Sequence, residues 1–487
     1  LVGAITRTDL LRWLYTRSNN LFPSLAEPDF SAALPRKRGI AKVLEERLPP
    51  EVLRLLKDIG RKAQDLGDQA YAVGGFVRDL LLRSENYDID VVVEGDGIRL
   101  ARALAREGMG ELRVHERFGT ATLKLPGRYG LDLATARLEY YDHPAALPRV
   151  EHSSIKLDLF RRDFTINALA VHLHPDHFGE LIDFFGGQKD LKERVIRVLH
   201  NLSFVEDPTR VFRALRFEQR LGFQIARQTH MLMENAVRME LFGRLSGRRL
   251  FRELVLCLSE EKPLAVLKRL GNFGLMTFFL PGLKVDRPLE TRLARLEGIV
   301  SWYRLLFTGE KLEPWTVYFL GMVEGMNEKE VEGLLDRFSF SEKSSALFLQ
   351  RRRTAIQVAQ RLSSRPWLGR SEVFFLLNPL PPDFLLYIMG RTDSEEAKKA
   401  VSLYFTELKK VRVSLGGQDL KRMGFPPGPI YKEILNALLR ARLEGKLVSR
   451  QDEMNFVAKK FNPPGNRAKK EKRGEKGPAV LSGFPGR

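Results

Sequence analysis

The sequence predicts an α+β fold: a small mixed sheet with helices packed against it, followed by a second part that is nearly all-α. Three observations predict it. From Tyr71 to about Val195, short strand-like runs interleave with helical ones. After about Ile196 strand signals fade, and long helical stretches follow, punctuated at Pro281-Gly282, Pro379–Pro382 and Gly416-Gly417. The chain has 487 residues, room for several domains, and 44% of them are apolar, enough for packed cores.

Taken in order, residues 16–50 lack a sustained pattern and read as a linker with one short helix, carrying the basic run Pro35-Arg-Lys-Arg38. Glu51–Leu66 is helical by the spacing of Val52, Leu53, Leu55, Leu56 and Ile59. Tyr71-Ala-Val is a short strand ended by Gly74-Gly75, and Phe76–Arg83 is a helix. Asp88–Val93 alternates and then turns apolar, as a half-buried strand does. Ile98–Arg106 is a helix, Glu111–Leu125 holds two strands broken near Phe118-Gly119, and Tyr129–Leu138 is one more strand. The Pro-, Gly- and Lys-rich stretch Asn462–Arg487 is expected to be disordered.

Lysine and arginine number 80 against 61 acidic residues, a net charge of +19. That surplus favours a polyanionic partner, nucleic acid above all, through phosphate neutralisation and counterion release. Cys257 is the single cysteine, so no internal disulfide forms, which fits a reducing cytoplasm. No apolar run approaches the length that spans a bilayer, and no N-terminal signal pattern is present. The greasiest stretches, such as Glu372–Leu377, suit a buried helix or strand. All eight histidines lie between His115 and His230. His174 and His177 have no cysteine or third histidine beside them to complete a zinc site.

The chemistry concentrates between Tyr71 and Asp90. Side chains at i and i+2 of a strand share a face, so Asp88 and Asp90 aim two carboxylates at one spot. Such a pair calls for a cation between the charges, and Mg²⁺ takes carboxylate and phosphate oxygens together. Gly74 and Gly75, lacking Cβ atoms, let backbone approach a triphosphate at a helix N-terminus. Arg78 in the first turn clamps a phosphate, while Asp79 makes a structural bond or cap. Together these suit nucleotidyl transfer, in which a 3′-hydroxyl attacks an α-phosphate and pyrophosphate leaves. Asp132, in the apolar run Gly130–Ala134, is either a third carboxylate of the metal site or a salt-bridge partner of Arg137 or another cation.

These residues resemble a known family. GGFVRD at 74–79 with Asp88-x-Asp90 is similar to the signature of class II (bacterial-type) tRNA nucleotidyltransferases and their poly(A) polymerase relatives. DLFRRDFTINA at 158–168 resembles the family's ribose-selecting motif, and DFFGGQKDL at 183–191 the segment leaving its head domain. EDPTRVFRALRF at 206–217 resembles its base-reading helix, and Arg137–Arg149 its flexible loop, where Pro144 and Pro148 argue against a regular element. The resemblance runs from Tyr71 to Pro281 and more loosely through Gly417–Leu420 and Gly424–Pro429. Residues 2–11 are similar to the last strand and helix of a CBS domain, which implies that the chain is a fragment of a longer protein.

The resemblance implies a CBS remnant at 1–15, a linker at 16–55, a polymerase-β-like nucleotidyltransferase head at 56–195 and a neck at 196–262. A helical body at 263–400, a helical tail at 401–461 that grips tRNA, and a basic end at 462–487 follow. It implies a Mg²⁺-dependent cytoplasmic enzyme that adds CCA, or only its final A, to tRNA 3′ ends from CTP and ATP. By similarity, Arg162 contacts phosphate or base and Asp163 the 2′-hydroxyl; Asp207 and Arg210 read the base; Arg213 and Arg216 help hold the nucleotide. Asp–Arg reading has a physical basis: cytosine and adenine both offer an amino group beside a ring acceptor, which one carboxylate and one guanidinium match.

Structural alternatives stand beside these roles. Asp207 before Pro208 is a natural N-cap, unless Ser203 and Glu206 form a capping box that frees it. Arg162 and Asp163 form either the substrate contacts or a pair that fixes their loop. Where the family carries a Glu-Arg pair before a helix, this chain has Leu245-Ser-Gly-Arg-Arg-Leu250, and Arg249 is spaced to pair with Glu253. Two other functions remain in view: a poly(A) polymerase, and an inactive basic RNA-binding relative. The strand His115–Lys124 is closer to the tRNA-modifying kind than to the polymerase.

Overall fold

The computed structural model describes residues 35–86, 88–125, 129–141, 148–364 and 368–461. The expected CBS remnant, residues 142–147 of the flexible loop and the basic tail lie outside the described residues. The chain forms two compact units that divide between Lys284 and Val285. The helices expected to open the body at residue 263 therefore belong to the first unit.

Unit 1 is built on an eight-stranded sheet with the order β1-β10-β9-β2-β3-β6-β5-β4. Its strands are β1 (Arg36–Gly39), β2 (Gln69–Val73), β3 (Asp88–Glu94), β4 (Glu111–His115), β5 (Thr120–Lys124), β6 (Gly130–Thr135), β9 (Leu169–His172) and β10 (Glu180–Asp183). Between them in the chain, β7 (Arg137–Tyr141) and β8 (Pro148–His152) form a separate antiparallel hairpin. Only β3 and β6 run parallel within the large sheet, and their register sets Asp90 beside Asp132 and Asp88 beside Gly130.

The helices of this unit are α1 (Ala41–Arg47), α2 (Pro50–Asp65), α3 (Gly74–Leu82), α4 (Gly97–Arg106), α5 (Ile155–Phe160), α6 (Gly187–Glu193), α7 (Ser203–Glu206), α8 (Thr209–Leu221), α9 (Arg227–Arg238), α10 (Gly247–Leu258), α11 (Pro263–Asn272) and α12 (Met276–Phe279). The alternation of β3 explains why it carries chemistry. Ile89, Val91 and Val93 are buried on one face, the side that the Val77, Leu100 and Leu104 stripes of α3 and α4 help to fill. Asp88, Asp90 and Val92 share the other face. There Val92 joins Tyr71, Val73, Ile155, Leu159, Ala170 and Phe185 in a core cluster. That packing covers one end of the face and leaves the aspartates at its open end.

The structure revises several expectations. The basic run at 36–38 is not linker but the exposed edge strand β1, paired with β10, with Lys37 bridging Glu180 at 2.8 Å. It has no apolar alternation to betray it, and basic side chains on an edge discourage further strand pairing. The strand expected at Tyr129–Leu138 is two, because the backbone leaves the sheet after Ala136 bonds Val93 and then pairs with β8. Pro148 is tolerated as the first residue of β8 at a sheet edge. Past Ile196, the two-residue strands β11 (Val195–Ile196) and β12 (Gln224–Ile225) pair in parallel. Helix α3 begins at Gly74 rather than Phe76.

Unit 2 is helical, from Arg287–Arg304 through Arg450–Lys460, with Phe319, Phe338, Tyr387 and Tyr404 almost fully buried. Leu420, Ile434, Leu438 and Val457 form a core of their own near its C-terminal end. Among the described residues no single helix is long and apolar enough to cross a membrane. Arg370–Leu377 and Pro382–Arg391 pass that test only together, but they bend by 114° at the Pro-rich break and bury most of their apolar side chains.

Candidate active site

The open end of the β3 face lies in a cleft of about 800 Å³. Asp88 and Asp90 line it together with Gly74, Gly75 and Arg78 from α3. Gly74 has φ +69°, and a Cβ there would stand 2.8 Å from Arg162 Nη1 and 3.4 Å from Asp90 Oδ2. Backbone conformation therefore requires glycine here, and a Cβ would also displace the Arg162 guanidinium tip. Burial pushes the Asp90 carboxyl above its ordinary value; Arg162 offsets this, and the Asp132 and Asp88 charges add to it. Asp132 is exposed and accepts a 2.6 Å hydrogen bond from Thr122 across the β5–β6 ladder. It sits beside Asp90 in register, outside the residues that line the cleft. The alternative partner, Arg137, instead donates to the Phe118 carbonyl.

The donor set here is oxygen only, with carboxylate charge in excess of the nearby guanidinium. That composition fits a hard divalent cation. Among the described residues no three His, Cys, Asp or Glu side chains converge on a metal-sized point. The chain thus offers an open carboxylate pair rather than a closed cage. His172 does stand against His174 and His177, a third ring that the spacing concealed, with ring centres 5.3–6.0 Å apart. The Nδ1 atoms of His172 and His174 accept backbone N–H groups, which leaves the proton of the neutral ring on Nε2.

Arg78 is held on three sides. Its Nε and Nη2 donate to Asp79 at 2.8 Å, and its Nη1 donates to Asn167 Oδ1 at 2.8 Å. Asn86 bonds Asp79 and accepts from the Asp88 backbone, tying the α3 cation to the start of β3. Arg162 and Arg161 clamp the fully buried Asp158, whose carboxyl is raised by burial but held lower overall by the two guanidiniums. Asp163 is buried and accepts from the Phe164 backbone, Asn167 and Arg213. Burial alone would raise it; Arg213 and Asn167 outweigh that and hold it below the usual carboxylate range. The expected Arg162–Asp163 pair does not form: Arg162 bonds Asp158, and Asp163 bonds Arg213.

Helix α8 forms the other wall. Asp207, just before it, accepts through Oδ1 from the Thr209 backbone, the Thr209 hydroxyl and Arg249 at 2.8 Å. Its Oδ2 accepts no hydrogen bond among the described residues. Asp207 is thus both helix cap and cleft residue. The Ser203–Glu206 box gives way to another arrangement, in which the Ser203 hydroxyl accepts from Arg210 at 2.7 Å. Arg210 is buried and also bonds the Arg161 carbonyl, so it is not side-chain partnered to Asp207. Arg249 takes that place rather than pairing with Glu253, which lies 4.0 Å from Arg216.

Arg216 is the clear departure. It is bonded to Glu260 at 2.8 Å and is absent from the cleft lining. A three-residue step falls about 60° short of a full helical turn, so two steps from Arg210 carry Arg216 about 120° off its face. The row that does face the cleft is Arg210, Arg213, Phe217 and Arg220. Residues of this region that sequence reasoning left without a role are Asp158 and the cleft-lining Asn86, Arg161, Asn167, Thr209, Phe217, Arg220 and Arg252; Glu253, expected to pair with Arg249, lines the cleft as well. Asp158 opens one matched motif, and Thr209 and Phe217 lie inside another, but neither motif marked them out. The buried Glu253 has its carboxyl raised by burial and an Oε2 atom without a hydrogen-bond partner.

Comparison with known proteins gives the family. Residues 70–197 match the poly A polymerase head domain, and residues 222–286 match the probable RNA and SrmB-binding site of polymerase A. An A-adding tRNA nucleotidyltransferase of Geobacter sulfurreducens is 46% identical over 94% of this chain, and the chain spans about half (53%) of that relative's length. One from Halalkalibacterium halodurans is 30% identical, over 87% of this chain and 96% of the relative. A CCA-adding enzyme solved in complex with ATP is 34% identical with a TM-score of 0.62, over 88% of this chain and 99% of its own. An α+β head with a paired-aspartate strand, near-full-length overlap with one such relative, and a shared fold at this identity lead to one conclusion: the chain belongs to the tRNA nucleotidyltransferase family.

Proposed function

We propose that this chain adds the terminal A to tRNA 3′ ends from ATP, without a nucleic-acid template. The observation that carries it is the carboxylate pair Asp88–Asp90 on one cleft wall with Asp207, one oxygen locked and the other open, on the opposite wall. Terminal A addition is preferred over the whole CCA because both curated relatives described above are A-adding enzymes. A tRNA substrate places the reaction in the cytoplasm, and the surplus of positive charge suits it.

Asp88 and Asp90 would hold a divalent cation, Mg²⁺ by donor type, which when bound lowers the pKa of the attacking hydroxyl and balances phosphate charge. Asp132 adds to the negative field at Asp90 and acts through it. Gly74 and Gly75 give the triphosphate access to backbone, and Arg78 and Arg162 face it with guanidinium charge. Asp163 is fixed against Arg213 and Asn167, and so positions the sugar side of the cleft. Asp207 Oδ2 accepts the exocyclic amino group of the base, and Arg210 stiffens the helix start beside it. Arg216 braces α8 from behind.

The test uses purified protein, Mg²⁺ and tRNA transcripts ending before CCA, after C and after CC, each with single nucleotides, beside an oligo(A) primer. Extension of only the CC-ending tRNA, by one A, is expected. Extension of all three with CTP and ATP makes it a complete CCA-adding enzyme. Long A tails on either RNA favour poly(A) synthesis, and no extension of any primer removes the transferase reading.

A further inference from the structure

Arg220 ends the row that Arg210, Arg213 and Phe217 form along α8. Its guanidinium lies 4.8 Å from the Phe217 ring centre; Arg78 lies 5.0 Å and Arg213 5.7 Å from the same ring. Three cations therefore gather round one aromatic side chain on the cleft wall. Two have a carboxylate at hydrogen-bond distance: Arg78 has Asp79 at 2.8 Å and Arg213 has Asp163 at 2.6 Å. Arg220 does not. Its nearest carboxylate oxygen, Glu260 Oε2, stands at 3.7 Å, while Glu260 Oε1 is bonded to Arg216 at 2.8 Å.

Among the described residues Arg220 donates no hydrogen bond, and its side chain is 44% exposed. Burial lowers its guanidinium pKa, Arg216 and Arg78 add to the fall, and Glu260 offsets only part. A planar cation held by an aromatic ring, crowded by like charges and with its donors open, is arranged for phosphate oxygens.

Position along α8 narrows which phosphates. At 1.5 Å per residue, Thr209, the first helical residue after Asp207, and Arg220 are separated by about 17 Å along the axis. A Cβ on Gly75 would lie 3.7 Å from Arg78 Nη2, so Arg78 neighbours the glycine pair and shares its aromatic ring with Arg220. With the base at Asp207 and the reacting phosphate near Gly74 and Asp90, Arg220 lies beyond Arg78, at the far end.

We propose that Arg220 binds the terminal phosphates of the nucleoside triphosphate, the pair that leaves as pyrophosphate; this rests on the nucleotidyl-transfer reading above. In that step the 3′-oxygen bonds the α-phosphorus and loses its proton to water. The bond from the α-phosphorus to its bridging oxygen breaks, and the electron pair departs with pyrophosphate. Arg220 neutralises charge that grows on this leaving group.

The experiment is calorimetric titration of the full chain, in magnesium buffer, with ATP, AMP and inorganic pyrophosphate, for wild type, Arg220→Gln and Arg220→Lys. Arg220→Gln weakens ATP and pyrophosphate by roughly ten- to a hundredfold and AMP by less than about twofold. Arg220→Lys recovers part of the pyrophosphate affinity, since charge remains and the planar fork is lost. Pyrophosphate binding by Arg220→Gln equal to wild type overturns the proposal. So does an equal loss on AMP, or a wild type that binds neither ATP nor pyrophosphate. Thermal melts of the variants check the fold. Wild-type tRNA extension run in parallel separates the two readings. Arg220-dependent pyrophosphate binding without extension leaves the anion site standing and removes transfer; extension with no Arg220 dependence removes only this site.

Discussion

Asp90 and Asp163 are both carboxylates set into the same cleft, and the chain treats them in opposite ways. Asp163 is given a guanidinium, an amide and a backbone N–H, and is held charged. Asp90 is given one nearby guanidinium against two like charges, and is pushed towards its neutral form. The first is complete without any ligand, while the second carries unmatched charge that a cation would match. A satisfied carboxylate marks architecture; an unsatisfied one on the same wall marks where chemistry is awaited.

Five variants break or sharpen that contrast. The largest effect is on transfer: Asp90→Asn lowers single-turnover A addition by about a thousandfold or more, yet melts at or above the wild-type temperature in metal-free buffer. Retained activity would sink the role given to the strand. Asp163→Ala shows the converse, a stability loss of about 1–3 kcal/mol, because Asn167 and the Phe164 N–H lose their buried acceptor while the partly exposed Arg213 turns to water. Chemical denaturation measures it, and an unchanged midpoint would mean that the Arg213 pair is idle.

Asp207→Ala is expected to reduce discrimination of ATP against GTP and UTP by roughly ten- to a hundredfold, with tRNA binding little changed. Arg249→Ala does the same more weakly, since it removes one of three donors that fix Asp207 Oδ1. Single-nucleotide extension assays read both, and an unaltered nucleotide preference in Asp207→Ala would reassign the reader. The smallest effect is in pH. Asp163 has a lowered folded pKa, so its stabilisation is present above the unfolded value of about 3.9 and lost as pH falls through the folded one. Asp90 has a raised folded pKa, so its ionisation is destabilising at neutral pH; the penalty begins to shrink as pH falls through that value and is gone only below the unfolded value of about 3.9. Melting curves against pH should therefore show Asp163→Asn approaching wild type only below about pH 4. Asp90→Asn should begin to lose its advantage over wild type at a higher pH than that, and have lost all of it below about pH 4.

What the sequence revealed follows from range. Period-2 alternation exposed β3 and its carboxylates, because a strand's two faces are written in adjacent letters. Gly74-Gly75 announced a close approach, although not that the intruding atoms belong to Arg162 and Asp90. The α8 arginines were visible as a series, but their three-residue spacing hid the fact that Arg216 turns to Glu260 while Phe217 and Arg220 take the cleft side. Pairings across long separations had no local signature: Arg249 with Asp207, Arg213 with Asp163, and the four-residue basic strand β1 against β10. The α+β division was legible throughout, since loss of strand pattern past Ile196 needs no tertiary knowledge. The end of the first unit at Lys284 was not, because it depends on which helices pack together.

One further consequence follows from placing Asp207, Arg210, Arg213 and Arg220 on or beside a single helix. A helix is a screw: one residue inserted between Arg213 and Phe217 would rotate everything beyond it by about 100° and advance it by about 1.5 Å. Arg220 would swing off the cleft, and Phe217 would lose its place against Phe164. Variation in α8 should therefore run through substitution on its outer surface and never through a change of length, so that its thirteen residues (Thr209–Leu221) are inherited as one indivisible measure.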